Sequence, residues 1–161
     1  MTATTTLPAA ALRAAMGHFA TGVTVITAPG PTPCGSTVNA ITSVSLDPPL
    51  LLVCLRDDSG TLAALLESGR FGVNVLHEHQ DELAQRFAKR GSGWDGITHA
   101  EGATGVPLLH GALATLECAV HDVADGGDHR IVVGRVLAVD HPEEHAPPLI
   151  FYRGAFTRLG S

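Results

Sequence analysis

Charge is scarce in this sequence. Ten Lys and Arg against sixteen Asp and Glu make up 16% of the 161 residues and leave a net charge of −6. The basic residues are scattered and the isoelectric point is near 5.8, so no footprint for nucleic acid or an anionic membrane is expected. Cysteine is sparse too. Cys34, Cys54 and Cys118 form an odd set without CxxC or zinc-type spacing, and two of them lie in apolar runs. They read as reduced, buried thiols of a cytoplasmic protein. No window approaches 18 uninterrupted apolar residues, and the opening MTATTTLPAAALRAAMGHF has no charged start before an apolar core. Neither a membrane span nor an export signal is therefore expected. Repeats, low-complexity runs, a domain linker and a GxSxG nucleophile motif are missing as well. Cys34 has no base partner in sequence, which leaves covalent catalysis little support. His77 and His79 have the spacing of metal ligands but no third ligand, so no metal is assigned.

What the sequence does have is apolar residues, 45% of the total, with a mean hydropathy of +0.21. That exceeds what a compact monomer needs and points to a homo-oligomer. The length suits one domain, 1–161, able to bury roughly 68–70% of its unfolded surface; residues 1–8 are expected to be flexible.

PAAALRAAMGHF (8–19) predicts a helix opened by Pro8, and TGVTVITA (21–28) a strand. After the turn PGPTP, CGSTVNAITSVSL (34–46) reads as one second strand, forming a hairpin with the first. LLLVCL (50–55) reads as a strand apolar on both faces and deeply buried. SGTLAALLESG (59–69) is a short helix with Ser59 or Thr61 as N-cap and Gly69 at its end. RFGVNVL (70–76) returns as a strand, and EHQDELAQRFAKR (78–90) is an amphipathic helix pairing Leu83 with Phe87. A Gly-rich loop is expected over 91–105. Residues 112–142 make two long strands about the turn DGGD. Leu116, Cys118 and Val120 alternate there with Glu117, Ala119 and His121, and Ile131, Val133 and Leu137 share a face. Two short strands close the chain in PLIFYRGAFTRLG (148–160). Strands do not alternate with helices of about 10–15 residues, which argues against a doubly wound parallel sheet. The fold class expected is mainly β, an antiparallel barrel with two or three peripheral helices.

Several stretches could carry chemistry. GSGWDG (91–96) spells G-x-G-x-x-G, with the acidic Glu117 about 20 positions on. The fingerprint works only between a strand and a helix start, whereas here a helix precedes and the broken segment ITHAEGATGVP follows, so the match is accidental. STVNAITSVSLDPP (36–49) crowds Ser36, Thr37, Asn39, Thr42, Ser43 and Ser45 into an uncharged strand, where they can bond the backbone or the polar edge of a heterocycle. LRDDSGTL (55–62) offers Arg56, Ser59, Thr61 and helix-start amides, either a plain N-cap or a phosphate cradle. GGDHR (126–130) sets His129 beside a tight turn, as a solvated bystander or a ligand-bonding group. FYRG (151–154) joins an aromatic and a cation, useful for stacking and equally common at a strand end.

Taken in order, MGHFATGVTVIT, STVNAITSVSLDPPLLLVCL, SGRFGVNVL, QRFA, PLLHGALATLEC, GGDHRIVVGRV and PLIFYRG resemble the flavin reductase family across nearly the whole chain. These are NAD(P)H:flavin oxidoreductases, the reductase components of two-component flavin-dependent monooxygenases. The resemblance implies a flavin-binding split β-barrel of Greek-key type, working as a homodimer with the flavin near the subunit interface. Its cofactors would be FAD or FMN together with NADH, in preference to NADPH because no arginine cluster for a 2′-phosphate is visible. Its partner would be a monooxygenase component that takes the reduced flavin.

Carried over by position, Thr37, Val38, Asn39, Ala40, Ser43, Val44 and Ser45 would face the isoalloxazine ring. Cys54, Leu55, Arg56, Ser59 and Thr61 would follow the ribityl and phosphate groups, and Phe87, Ala88 and Lys89 would close over the nucleotide end. His129, with Gly127 and Asp128, would sit by the nicotinamide as the catalytic residue. Phe151, Tyr152, Arg153 and Gly154 would help hold NAD(P)H. Ser36 stands where a larger apolar residue, often Met, is common, and the 91–105 loop takes no role from the resemblance; its 91–96 stretch is expected to end the preceding helix and to move over the pocket, with Trp94 the one residue there worth mutating. Two other readings compete: a flavin-retaining oxidase of the pyridoxamine-phosphate-oxidase type, weakened by the lack of an Arg/Lys cluster for a substrate phosphate, and a non-catalytic flavin- or haem-binding module, for which the GGDHR turn would be superfluous.

Overall fold

The computed structural model describes residues 6–142 and 146–160; of the segment expected to be flexible, 1–5 lie outside the described residues. The elements run α1 (Ala9–Met16), β1 (Thr21–Gly22), β2 (Thr24–Ala28), β3 (Cys34–Val38), β4 (Ile41–Leu46), β5 (Pro49–Arg56), α2 (Gly60–Ser68), β6 (Arg70–Val75), α3 (Asp81–Ala88), β7 (His99–Glu101), β8 (Pro107–Leu109), β9 (Ala114–Asp125), β10 (His129–Asp140), β11 (Leu149–Tyr152) and β12 (Ala155–Arg158). Seven strands make one antiparallel sheet in the order β3-β2-β6-β9-β10-β5-β4, and two small sheets, β1-β11-β12 and β7-β8, flank it.

The stretch 34–46 is not one strand. Its first half pairs with β2 at one edge of the sheet and its second half with β5 at the other edge. Only Asn39 and Ala40 separate Val38 from Ile41, and three residue steps span at most about 11 Å. The two edges must therefore come together, which curls the sheet into a barrel whose seam is Asn39–Ala40. The amide of Cys54 extends the β4–β5 ladder into that seam by donating to the Ala40 carbonyl at 3.0 Å.

Burial corrects a second expectation. β5 buries Leu51, Val53 and Leu55, while Leu50, Leu52 and Cys54 stay partly exposed on its other face. β2 is buried on both faces, all five of its residues being covered. Ile26 and Ala28 belong to the barrel core with Val53, Phe71 and Val132, whereas Val25 joins Leu76, Ala84 and Phe87 in a second cluster under α3. Its two threonines remain satisfied, Thr24 donating to the Val38 carbonyl at 2.7 Å and Thr27 to that of Pro107 at 2.5 Å. On β10 the covered positions Val132 and Gly134 alternate with the partly exposed Ile131 and Val133, and Leu137 is the extra, exposed residue at the irregularity between Val136 and Ala138.

The helices plug and brace this barrel. In α2, Ser59 caps the first turn by accepting from the Leu62 amide, and Gly69 closes the last in the left-handed conformation at φ 71°. Its Leu62 and Leu65 enter the barrel core. α3 presents Ala84 and Phe87 to the second cluster. The 91–105 segment is not loop throughout, since β7 within it pairs with β8. There Glu117 of β9 pins the β7–β8 turn by accepting from the amides of Ala103 and Thr104 and from the Thr104 hydroxyl.

Candidate active site

A cleft of about 750 Å³ opens along the seam, between β3, the end of β5, the start of α2, the end of α3 and the first residue of β10. That volume lies within the roughly 300–1,000 Å³ common for ligand sites. Chain positions far apart meet here because the barrel closes at this line.

β3 supplies a polar floor. Ser36 donates to Thr61 Oγ1 at 2.8 Å and lies 3.4 Å from Ser59 Oγ, so three hydroxyls cluster at the helix start. That start also carries first-turn amides with no helical acceptor. Thr37 donates to the Ala84 carbonyl at 2.6 Å and thereby fastens α3 to β3. Gly35 is required at this junction: a Cβ there would stand 2.7 Å from the Phe87 ring.

The mouth is charged. Arg56 grips Asp58 through Nε at 3.1 Å and Nη2 at 3.2 Å, and Arg90 reaches the same carboxylate from beyond α3. The bonds to Arg56 and Arg90 hold the Asp58 carboxyl down to about 2. Burial pushes the Cys54 thiol up, so this cysteine is a poor nucleophile. His129 pairs with Arg56 across β5 and β10. Its Nδ1 lies 2.7 Å from Asp128 Oδ1, and the bond to His129 lowers the Asp128 carboxyl. A carboxylate only accepts, so Nδ1 carries hydrogen and Nε2 is the ring nitrogen left for the cleft.

Of the residues expected at the site, Thr37, Val38, Asn39, Ala40, Cys54, Leu55, Arg56, Ser59, Thr61, Phe87, Ala88, Lys89 and His129 line this cleft. Ser43, Val44 and Ser45 stand on β4, outside it. Gly127 and Asp128 form the β9–β10 turn, where the Asp128 carbonyl accepts the Asp57 amide. Phe151, Tyr152, Arg153 and Gly154 belong to the small β1-β11-β12 sheet, the Arg153 amide donating to the Gly17 carbonyl. Asp58, inside the expected 54–61 stretch, and Trp94 of the 91–96 loop also line the cleft, whereas sequence reasoning passed over Gly35, Arg90 and Ser92 as lining residues. A glycine inside a strand was the available signal for Gly35; the others are placed by a loop that only the tertiary fold brings alongside. GSGWDG is such a loop, with Gly91 and Gly96 at φ 68° and 73° and no helix after it. Among the described residues no cluster of three or more His, Cys, Asp or Glu is poised to hold a metal.

Residues 16–160 match the flavin reductase like domain. The chain is 43% identical over 148 residues to the FMN reductase (NADH) SmoA of Agrobacterium fabrum, covering 91% of this chain and 84% of that one. It is 40% identical over 149 residues to HsaB, the reductase subunit of a flavin-dependent monooxygenase of Rhodococcus jostii, covering 91% and 76%. Among solved structures, the NADH:FAD oxidoreductase SgcE6 of Streptomyces globisporus, in complex with NAD and FAD fragments, superposes with a TM-score of 0.88 at 39% identity, over 92% of this chain and 91% of that one.

Proposed function

The chain belongs to the flavin reductase-like domain family, and from that premise we propose that it is an NAD(P)H:flavin oxidoreductase. It reduces FMN or FAD with NADH and supplies the reduced flavin to a monooxygenase component. The observation that carries this reading is the seam cleft, in which hydroxyls, a helix start and His129 converge from three separate elements. A flavin phosphate suits the Ser36, Ser59 and Thr61 hydroxyls and the first-turn amides of α2. The polar Thr37–Ala40 segment suits the edge of its ring system.

Flavin and nicotinamide would themselves supply the electron chemistry, a hydride passing from nicotinamide C4 to flavin N5. The protein orients and polarises. Donors from the Thr37–Ala40 segment offset negative charge developing on the pyrimidine edge. Phe87, Ala88 and Lys89 cover the nucleotide end. His129, held by Asp128 in the Gly127 turn, positions the nicotinamide through Nε2. Positioning is favoured over acid catalysis because orientation can contribute about 7–11 kcal/mol, whereas a general acid contributes ~10²–10⁴-fold.

The active form is a homodimer. Val44 and Leu46 of β4 are 50% and 94% exposed, and Leu137 and Val139 of β10 are 51% and 57% exposed. The Arg135–Leu50 register sets all four toward one end of the sheet, and such an apolar edge calls for a cover. Ser43–Ser45 and Phe151–Gly154 reach a bound flavin or nicotinamide only as part of that dimer. The relatives' reductase names favour this reading over the flavin-retaining oxidase and the non-catalytic module. Anaerobic mixing with NADH and excess free FMN or FAD tests it: flavin colour bleaches over many turnovers, and no bleaching with either nicotinamide overturns it.

A further inference from the structure

The cleft wall that the flavin reductase resemblance leaves without a role carries the sole tryptophan of the sequence. Trp94 lines the cleft with Phe87 and Arg90. Phe87 meets it at 5.1 Å and 63°, and His99 at 5.0 Å and 72°, so neither ring lies flat on the indole. The half-buried indole keeps stacking surface for a planar guest. Its loop is held firmly. Arg86 donates to the Gly93 carbonyl at 3.0 Å and to the Asp95 carbonyl at 2.7 Å, bracketing Trp94 on both sides, while the Ile97 amide bonds the Trp94 carbonyl at 2.9 Å. Arg56 and Arg90, both on Asp58, line the same cleft as this platform and the hydroxyl cluster at α2. The cleft thus holds an anion cradle, a pair of guanidinium groups and an aromatic plate.

We infer that the Trp94 end of the cleft receives the adenylate half of FAD, the arginine pair facing the second phosphate and the indole stacking on the purine, so that FAD is preferred to FMN. This rests on the reductase reading above. Stacking of a base on an aromatic side chain corresponds to a preference of about 5- to 150-fold.

The test is the ratio of kcat/KM for FAD to that for FMN, at saturating NADH, in wild type, Trp94→Ala and Trp94→Phe. The ratio falls by about 5-fold or more in Trp94→Ala and largely recovers in Trp94→Phe. In the wild-type protein, AMP raises the apparent KM for FAD but not for FMN, a measurement that stands even if Trp94→Ala fails to fold. A ratio that moves by less than about twofold, against the stacking range expected, overturns the inference, as does AMP acting equally on both flavins or on neither. If wild type bleaches neither flavin, the reductase reading itself falls; if it bleaches both and the ratio stays put, only the adenylate assignment does.

Discussion

Glu117 and Asp58 are both carboxylates gripped by several donors, yet they sit in opposite surroundings. Glu117 is 6% exposed on β9 and holds a turn of the β7–β8 hairpin. Burial raises its carboxyl, but the Thr104 hydroxyl and the amides of Thr104 and Ala103 more than offset this and leave it below its usual value. Asp58 is exposed at the cleft mouth and answers to two exposed guanidinium groups, Arg56 and Arg90. In the interior a carboxylate that loses its donors, or donors that lose it, cost a desolvation penalty. At the surface, water replaces either partner and little stability is at stake. The buried acid therefore organises the fold, and the exposed one tunes what the cleft attracts.

That contrast can be broken by substitution. Glu117→Ala strands three donors and is expected to cost about 2–4 kcal/mol in urea unfolding; a loss under about 1 kcal/mol would place the turn's stability elsewhere. The same residue sets an acid limit. Because its folded pKa is lowered, its stabilisation is complete above the unfolded carboxyl value of about 4.3 and drains away as pH falls through the folded value. The gap in urea midpoint between wild type and Glu117→Gln should accordingly be constant near neutrality and close only in acid.

Gly102→Ala puts a Cβ 2.6–2.7 Å from the Glu117 carboxylate and is expected to cost about 1–3 kcal/mol. Combined with Glu117→Ala its penalty should shrink, and strict additivity would mean the two do not act as one clamp. On the cleft side, His129→Ala should lower kcat/KM for NADH by about tenfold, equivalent to about 1.4 kcal/mol. Flavin affinity should change far less, and unchanged steady-state kinetics would remove His129 from the site. The smallest effect belongs to Asp58→Asn. Stability should stay within about 0.5 kcal/mol, while KM for the anionic flavin drops by a few-fold at low salt and reverts at high salt as the freed arginines are screened.

Strand and helix positions were legible because their signals are local: the β-branched run before PGPTP, the Ser59 cap, the Gly69 stop and the DGGD turn each act within a few residues. Failures came where a long-range closure overrides local pattern. Nothing in NA at 39–40 announces that the chain there leaves one sheet edge for the other, and LLLVCL looks doubly buried because apolar content alone cannot tell a covered face from an open one. β2, with two threonines, hid its burial because side-chain bonds to the carbonyls of Val38 and Pro107 satisfy them. Of the site, the hydroxyls of β3 and the α2 start were visible as chemistry waiting for a partner. Arg90 was not, and GSGWDG, read as a segment over the pocket with Trp94 its residue of note, owes that position to Arg86 folding it back on the cleft.

The seam at Asn39–Ala40 has a mechanical corollary. The seven-stranded sheet is a hoop whose ends are joined by a two-residue hinge pin, so opening the hoop and emptying the cleft are one event. A guest lodged across that joint works as a clasp: at a hundredfold excess over its Kd it adds about 2.7 kcal/mol against unzipping. Release of the guest then slackens the same joint that must admit the next one.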